Sequence, residues 1–395
     1  MKKGWQTKHL GDVAAVGAGN SAPQDEALFE DGTIPFFRTA DAGRVRFGDI
    51  AESTDYLNDK GVKGLRRFAA GTILFPKSGA STFLNHRVIL GVEGCVSSHL
   101  ATIVADEKQA HPRFLLYFLS TIEAQDLVQD HAYPSLNLPT IAGIEVHLPP
   151  LAEQQRIVGL LDEAFEGLAT AKANAEKNLQ NARALFESHL QSVFTQRGPG
   201  WKQKTLEEIA TTFGRGKSKH RPRNEPKLYG GKHPFIQTGD IRNADHFITE
   251  YSQTYSELGL AQSKLWPKGT ICITIAANIA ETAILGFDAC FPDSVIGVVA
   301  NPKEAEVGFI EYLLQSFKAR IQALGKGSAQ ANINMGTFEN ERFPFPPVTQ
   351  QRGIVQKLDA LSEETQQLAR LYEQKHAALE ALKKSLLHQA FTGAL

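Results

Sequence analysis

At 395 residues the chain exceeds the usual size of one domain, which predicts two or three domains. Its formal net charge of -1 gives no overall attraction to polyanions, so a nucleic-acid function would depend on local patches. Cys95, Cys272 and Cys290 are too scattered for a disulfide framework or a zinc site. The sequence lacks a run of about 18 apolar residues and the apolar core of a signal peptide, so we expect a cytoplasmic protein.

The dominant feature of the sequence is an internal repeat. Six matches follow one another in the same order at an offset of 195–199 residues, which indicates a duplication. They begin with Gly4-Trp5 against Gly200-Trp201 and include Pro35–Asp41 against Pro234–Asp240, Gly71–Ile73 against Gly269–Ile271, Phe114–Tyr117 against Phe309–Tyr312, Pro149–Val158 against Pro346–Val355, and Leu185–Thr195 against Leu382–Thr392.

Each copy begins with a part that mixes short β-like runs with single helices. In the first copy, Gly71–Phe75 is β-like and residues 112–129 are predicted to form a helix. In the second copy, Thr270–Ile275 and Ser294–Val299 are β-like, and residues 307–324 are predicted to be helical. These patterns are typical of a globular domain with mixed secondary structure.

Each copy ends with one long predicted helix that starts after a pair of prolines, at 149–150 and 346–347. Apolar positions at alternating intervals of four and three residues are typical of a coiled-coil seam. From Ile354 they are Leu358, Leu361, Thr365, Leu368, Tyr372, Lys375, Leu379, Leu382 and Leu386. In the first copy they are Ile157, Leu161, Ala164, Leu168, Ala171 and Ala175, followed after a slip by Leu179, Ala182 and Leu185.

These helices need a partner for their apolar stripes. Since the second globular part starts directly after the first helix, the simplest arrangement is an antiparallel pair with a globular domain at each end. The alternative is that each helix packs on its own domain or on another chain. We therefore predict an α+β fold, a pseudo-twofold repeat of two mixed α/β domains separated by two long antiparallel helices that form a coiled coil. The domains are residues 1–148 and 197–345, and the helices are residues 149–196 and 346–395.

The sequence offers no convincing catalytic site. Gly17–Ala22 fits the dinucleotide pattern G-x-G-x-x-A, but no helical period follows it, and the second copy has Gly214–Ser218 at the same place. A loop shared by both copies is the better interpretation. Methyltransferase, nuclease and metal-binding motifs are also lacking, so we predict a non-enzymatic chain with no catalytic residue, no metal and no cofactor of its own.

Local basic and amide side chains are the candidates for binding nucleic acid. Residues 215–224 form a loop rich in Arg and Lys that could meet phosphates, and the alternative is a solvated charged loop with no partner. Arg and Lys suit guanine and Asn and Gln suit adenine, while turn formation or capping explains each single residue at least as well. The first-copy candidates are Arg38, Thr39, Arg44, Arg46, Lys77, Asn85, His86, Arg87, Tyr133, Ser135 and Asn137. The second-copy candidates are Arg215, Lys217, Lys219, His220, Arg221, Arg223, Gln237, Thr238, Asn278, Asn332 and Asn334.

Nearly the whole chain resembles the specificity subunit of Type I restriction–modification enzymes. The resemblance lies in Trp5 and Trp201 with their downstream leucines, in Pro149–Asp162 and its repeat Pro346–Asp359, and in the preceding segments Tyr133–Pro139 and Gly327–Asn334. Gly353 departs from the repeat, because the first copy has Arg156 there.

The resemblance implies two target-recognition domains that each read one half of a split double-stranded DNA target, with the helices as spacer. It also implies two methyltransferase subunits as partners, which carry S-adenosylmethionine, and in a restriction complex a motor-nuclease subunit that uses ATP. We expect partner contacts at the helix starts, at Leu151, Gln154, Gln155, Ile157, Val348, Gln351, Arg352 and Ile354.

Two other functions compete with DNA recognition. A structural adaptor could bind proteins through its globular ends, with the coiled coil as its frame. A stand-alone methyltransferase with a built-in recognition domain is disfavoured, because the catalytic segment is missing.

Overall fold

The computed structural model describes residues 4–276, 278–325, 333 and 335–395. The chain divides into unit 1, residues 1–175 with 374–395, and unit 2, residues 176–373. In the first half of the chain the elements are β1 Gln6–His9, α1 Leu10–Val13, β2 Ala14–Ala18, β3 Ile34–Phe37, α2 Thr39–Val45, β4 Phe47–Ile50, β5 Tyr56–Leu57, β6 Arg67–Phe68, β7 Ile73–Pro76, β8 Arg87–Leu90, β9 Gly94–Val96, β10 Leu100–Ala105, α3 Pro112–Leu119, α4 Leu138–Ala142, β11 Glu145–Leu148 and α5 Leu151–Thr195.

Among the described residues, the second half of the chain repeats the order of the strands, but it has no counterpart of α1, an additional short helix at 257–261 and a longer helix at 307–325. Its elements are β12 Lys202–Lys204, β13 Ala210–Arg215, β14 Tyr229–Phe235, α6 Thr238–Asn243, β15 Phe247–Ile248, β16 Gln253–Tyr255, α7 Glu257–Ala261, β17 Leu265–Trp266, β18 Ile271–Thr274, β19 Thr282–Leu285, β20 Ala289–Cys290, β21 Val295–Ala300, α8 Val307–Gly325, α9 Met335–Glu339, β22 Phe343–Phe345 and α10 Val348–Thr392. None of the described helices is long and apolar enough to cross a membrane.

The duplication is exact at the level of sheet topology. Unit 1 has a five-stranded sheet in the order β2-β10-β7-β8-β4, and unit 2 has the corresponding order β13-β21-β18-β19-β15. The four-stranded sheets, β5-β3-β9-β6 and β16-β14-β20-β17, also correspond strand for strand. The pairing sense is kept as well, since β4–β8 and β15–β19 are both parallel. The predicted pair of mixed α/β domains is therefore confirmed.

Each unit completes its core with segments of both long helices. In unit 1, Leu161 of α5 and Phe391 of α10 join the cluster around α3, and the Phe391 ring centroid lies 5.2 Å from that of Phe114. In unit 2, Leu358 of α10 and Phe194 of α5 join the cluster around α8. The buried apolar stripe of each helix is thus shared between its coiled-coil partner and a globular domain, which is why the helices form.

The two long helices pair antiparallel within each unit. In unit 1, Arg156 donates to the Leu395 carbonyl at 3.0 Å and Lys172 binds Glu380 at 2.7 Å, so rising numbers on α5 meet falling numbers on α10. In unit 2, Arg183 binds Glu373 at 2.9 Å. The predicted antiparallel coiled coil is confirmed, and each helix spans 45 residues.

The predicted seam is wrong at every second position of its later part. Each exposed position is followed by a half-buried residue, and in α10 taking these residues in place of the exposed ones sets the intervals from Thr365 onward at four then three. At positions 368 and 382 the prediction is wrong because an exposed leucine stands next to a half-buried alanine or lysine, and the apolar pattern favours the leucine. The exposed residues are Leu185, Leu368, Lys375 and Leu382, and the half-buried ones are Phe186, Ala369, His376 and Lys383.

Lys383 shows why a lysine fits the seam. Its ammonium nitrogen lies 5.2 Å from the ring centroid of Phe165 on α5 and 4.6 Å from that of Phe47. The aliphatic stem packs in the seam while the cation contacts two aromatic faces.

One local expectation for the first copy is wrong. The helix predicted over residues 112–129 ends at Leu119, because the Ser120 and Thr121 hydroxyls bond back to backbone carbonyls at 2.7 Å and compete with helix continuation. The glycine-rich segment is a strand end and loop. A Cβ on Gly19 would lie 2.2 Å from the Val96 carbonyl oxygen, and one on Gly216 would lie 2.3 Å from that of Phe291. Close backbone packing therefore explains the shared glycine.

Candidate functional site

Two loops form one polar surface in unit 1. The Leu136 N–H donates to the Lys77 carbonyl at 2.8 Å, and the Gly79 N–H donates to the Pro134 carbonyl at 2.9 Å. Tyr133 is 83% exposed on this surface, where its ring can stack on a ligand. Ser135 and Asn137 are exposed beside it, although Asn137 also caps α4 by accepting the Thr140 N–H at 2.7 Å. Lys77 is half-buried at the edge.

A second patch surrounds α2. Arg44 and Arg46 are exposed, and burial of the imidazole of His86, together with the charge of the nearby Arg46, lowers its pKa. Arg44 forms a salt bridge with Asp41, with a nitrogen–oxygen distance of 3.6 Å. Arg38 forms a salt bridge with Asp55, and its guanidinium lies over the Phe36 ring. Much of the positive charge predicted for this copy is thus neutralised within the domain.

Two first-copy candidates are used inside the fold. Arg87 is fully buried, lies 3.5 Å from the Phe75 ring centroid and donates to the His86 carbonyl at 2.8 Å. Burial lowers the pKa of its guanidinium to about 9. Asn85 bonds to Glu123 and accepts the Ala124 N–H at 2.8 Å. Arg87 is therefore removed from the surface candidates, and Asn85 joins two loops.

The basic loop of unit 2 is exposed, but only part of its charge is free. Arg223 binds Asp293 at 2.8 Å, and Arg215 donates to the carbonyl of the same residue at 2.7 Å. Arg221 bonds to the carbonyls of Ser218 and His220. Lys217, Lys219 and His220 are exposed, and the salt bridges of the described residues include none of them. The two lysines are the strongest candidates for phosphate contacts.

The repeated Pro-Phe segments each lead from the end of a strand into the start of a short helix. The backbone N–H of Arg38 donates to Asp41 at 2.8 Å, and that of Gln237 donates to Asp240 at the same distance. Thr39 and Thr238 are the first residues of α2 and α6, and both are half-buried. This part of the repeat has a capping role.

The remaining second-copy candidates are dispersed. The Gln237 amide donates to Gln253 at 2.7 Å, and Asn278 accepts from Arg242 at 3.4 Å. Asn332 and Asn334 lie outside the described residues.

A glutamine at the start of each long helix bonds the helix to its domain. Gln154 accepts the His111 N–H at 2.8 Å and donates to the Gln109 and Pro149 carbonyls, both at 2.9 Å. Gln351 accepts the Glu306 N–H at 2.9 Å and donates to the Glu304 and Pro346 carbonyls. Both glutamines are fully buried, so their side chains serve the fold and are not available to a partner.

The other predicted partner residues divide by exposure. Gln155 and Arg352 are exposed, whereas Leu151, Val348 and Ile354 are half-buried. Ile157 is 1% exposed and packs in the core of unit 1, which removes it from the surface candidates. The accessible part of each helix start is therefore small.

A tyrosine–aspartate contact that was not predicted from the sequence recurs in both copies. The Tyr117 hydroxyl bonds to Asp162 on α5, and the Tyr312 hydroxyl donates to Asp359 on α10 at 2.7 Å. Both tyrosines and both aspartates belong to matched repeat segments. The repeat therefore contains these residues, but it does not reveal that each tyrosine contacts an aspartate. These contacts fix the direction in which each helix leaves its domain.

Comparison with known proteins gives a consistent result. A family model described as Type I restriction modification DNA specificity domain matches residues 2–179 and 199–376. The MjaIX specificity subunit of a type I restriction enzyme of Methanocaldococcus jannaschii is 31% identical over 42% of this chain and 39% of the relative. The MjaVIII specificity subunit of the same organism is 23% identical over 78% of this chain and 75% of the relative.

A solved structure shares the fold over the whole chain. It is described as the structural basis underlying complex assembly and conformational transition of the type I R-M system. It has a TM-score of 0.81 and 20% sequence identity, and the match covers 100% of this chain and 99% of that one.

Proposed function

We propose a function from the premise that this chain belongs to the family of Type I restriction modification DNA specificity domains and carries two of them. The chain is the DNA target-recognition subunit of a Type I restriction–modification system. We infer that it reads a bipartite, asymmetric target, with one domain for each half-site and unspecified bases between. The observation that carries this proposal is the repeated sheet framework with different polar surfaces.

The difference between the surfaces supports two different half-sites. Unit 1 presents the exposed Tyr133 beside Lys77, whereas unit 2 presents the exposed Lys217 and Lys219 on its basic loop. Phosphate contacts position a protein on DNA, and contacts to base edges give it specificity. One framework with two polar surfaces therefore suits one kind of ligand with two sequences.

We further propose that the chemistry belongs to partner subunits. Two methyltransferase subunits carrying S-adenosylmethionine would bind the chain, and a restriction subunit using ATP could join them. The chain itself would have no catalytic role, and with DNA as its ligand it would work in the cytoplasm. The exposed Gln155 and Arg352 at the helix starts are the accessible residues proposed for partner contact.

Exchange of one domain tests the bipartite proposal. Residues 1–148 are replaced by the corresponding domain of another family member, and the chain is produced with its methyltransferase partner in a host without other methylation. Sequencing of methylated bases is expected to show a change in one half of the motif only. The reciprocal exchange of residues 197–345 is the matched control, and it should change only the other half.

Two results would contradict the proposal. A motif that stays unchanged in both halves after exchange would show that the globular domains do not read DNA. The second result is that a chain with Lys217 and Lys219 changed to alanine keeps the DNA affinity and salt dependence of the wild type. Either result would favour the adaptor function. DNA recognition predicts a weaker complex with a smaller salt slope.

A further inference from the structure

We propose that a cation stacked on a buried aromatic ring, at the same place in both domains, is a contact to the DNA backbone in each half-site. The two residues are Arg66 over Phe68 and Lys264 over Trp266. This inference rests on the proposed function, since it assigns residues to DNA contact that the sequence argument did not select.

The two pairs are equivalent in sequence and in the fold. The two cations lie 198 positions apart in the sequence, and so do the two rings. This separation is within the 195–199 offset of the repeat. The rings belong to β6 and β17, which are the terminal strands of the corresponding four-stranded sheets. The Arg66 guanidinium carbon lies 4.9 Å from its ring centroid, and the Lys264 ammonium nitrogen lies 3.5 Å from its own.

The rings hold the cations in place. Phe68 is 2% exposed and Trp266 is fully buried, so neither ring can turn away. Arg66 is exposed and Lys264 is half-buried, so each cation still reaches the surface. A cation held over a ring has lost part of its conformational freedom, which lowers the entropy cost of meeting an anion.

The loop after the first strand of each five-stranded sheet packs beside the cation. In unit 1, the Asn20 side chain accepts the Arg66 N–H and donates to the Arg66 carbonyl, both at 2.9 Å. In unit 2, the Ser263 hydroxyl donates to the Lys217 carbonyl at 2.8 Å. This places the basic loop of unit 2 beside Lys264.

The described part of the chain does not neutralise the charge at this position. Among the described residues, no carboxylate oxygen lies within 4.0 Å of the charged nitrogens of Arg66, Lys217 or Lys264. Burial and the neighbouring Lys217 together lower the pKa of Lys264. Two like charges held close together are stabilised when an anion binds between them.

A backbone phosphate fits this site better than a base does. The polar loops of the two domains differ, whereas the stacked cation is common to both. A feature shared by readers of two different half-sites should contact the part that the half-sites share, and that part is the phosphate backbone.

The test uses the complete chain with its methyltransferase partner and a duplex that carries the methylated motif. Dissociation constants are measured over a series of salt concentrations for Lys264→Ala, Arg66→Ala and the double variant. Each single change is expected to weaken binding on the order of tenfold at low salt and to reduce the salt slope by about 0.9. The methylated sequence should stay the same.

Matched variants separate charge from packing. Lys264→Arg is expected to retain the wild-type slope, and Lys264→Gln, which keeps much of the stem over Trp266, should behave like the alanine variant. Lys232→Ala is the control, because Lys232 lies on the same sheet, is 78% exposed and already pairs with Glu257 at 3.2 Å. Its slope should equal that of the wild type.

The outcomes distinguish this inference from the proposed function. Unchanged slopes in Lys264→Gln and Arg66→Ala, with selective binding intact, would overturn the phosphate contact alone. A changed methylated motif would also overturn it, because the residue would then read a base. A wild-type complex without sequence-selective binding would overturn the proposed function, while a reduced slope in the variants would still support the phosphate contact.

Discussion

Replacing Gln154 with alanine removes the side chain that joins α5 to unit 1. Three hydrogen bonds are lost, to the His111 N–H at 2.8 Å and to the Gln109 and Pro149 carbonyls at 2.9 Å. A buried hydrogen bond contributes about 1 kcal/mol net, and a buried donor left without a partner costs about 1–3 kcal/mol. The expected loss is about 3–4 kcal/mol of the free energy of unfolding of unit 1.

Differential scanning calorimetry measures this loss. For a unit of this size, 1 kcal/mol corresponds to about 2–4 °C, so the transition of unit 1 is expected to fall by roughly 6–16 °C. Gln351→Ala should do the same to unit 2, because its three bonds correspond. Gln155→Ala is the control on the same turn. Its side chain is exposed, and a change within about 0.5 kcal/mol is expected.

A charged variant adds a test of mechanism. Gln154→Glu keeps the acceptor for the His111 N–H but directs a carboxylate at two carbonyl oxygens, which raises the pKa of the introduced acid. An acid with a raised pKa destabilises the fold increasingly as the pH rises, so the variant should be less stable at about pH 8 than at about pH 5, relative to wild type. Equal stability of Gln154→Ala and Gln155→Ala would refute the reasoning.

Three further predictions concern the helices and unit 2. Gly353→Ala is expected to raise the stability of unit 2 by about 1 kcal/mol in thermal unfolding, since a Cβ there meets nothing within 4 Å; a loss of stability would contradict this. Phe391→Ala should cost unit 1 about 3 kcal/mol by calorimetry, because its ring packs 5.2 and 5.5 Å from two phenylalanines, whereas Leu382→Ala, 47% exposed, should have little effect. Burial opposes protonation of His246, but the hydrogen bond to Glu311 at 2.6 Å outweighs it and raises the pKa above the ordinary 6.5. The stability that this pair adds is complete below that pH and is lost as the pH rises through the raised pKa, so the melting temperature of unit 2 should fall more steeply with rising pH than in His246→Gln; parallel curves would argue against the pair.

The framework could be predicted from the sequence because its signals repeat. The double prolines, the apolar periods and the matched segments each occur twice, so a chance pattern in one copy is checked by the other. The starts of the long helices, at Leu151 and Val348, follow directly from Pro149-Pro150 and Pro346-Pro347. The seam prediction is wrong at Ala369 and Lys383, each of which follows an exposed leucine. The burial of these two residues depends on neighbours that are remote in sequence.

The candidate site was less predictable, because residue type does not reveal burial. Arg87 looks like a DNA contact in sequence, yet its guanidinium lies over Phe75 in the core. Gln154 has a polar side chain at an expected partner surface, yet it is fully buried and bonded to backbone groups. Lys264 could not be selected from the sequence, because its proposed role in DNA contact depends on the Trp266 ring beneath it and on the nearby Lys217.

The composition of unit 1 has a consequence for synthesis of the protein. Its core includes Phe391, which packs against Phe114 and Phe118. The ribosome makes the whole of unit 2 between residues 175 and 374, which at about 5–20 residues per second takes on the order of 10–40 s. Throughout this interval the nascent first domain exposes the apolar surface that Phe391 later covers, so it should be the segment that chaperones bind during translation.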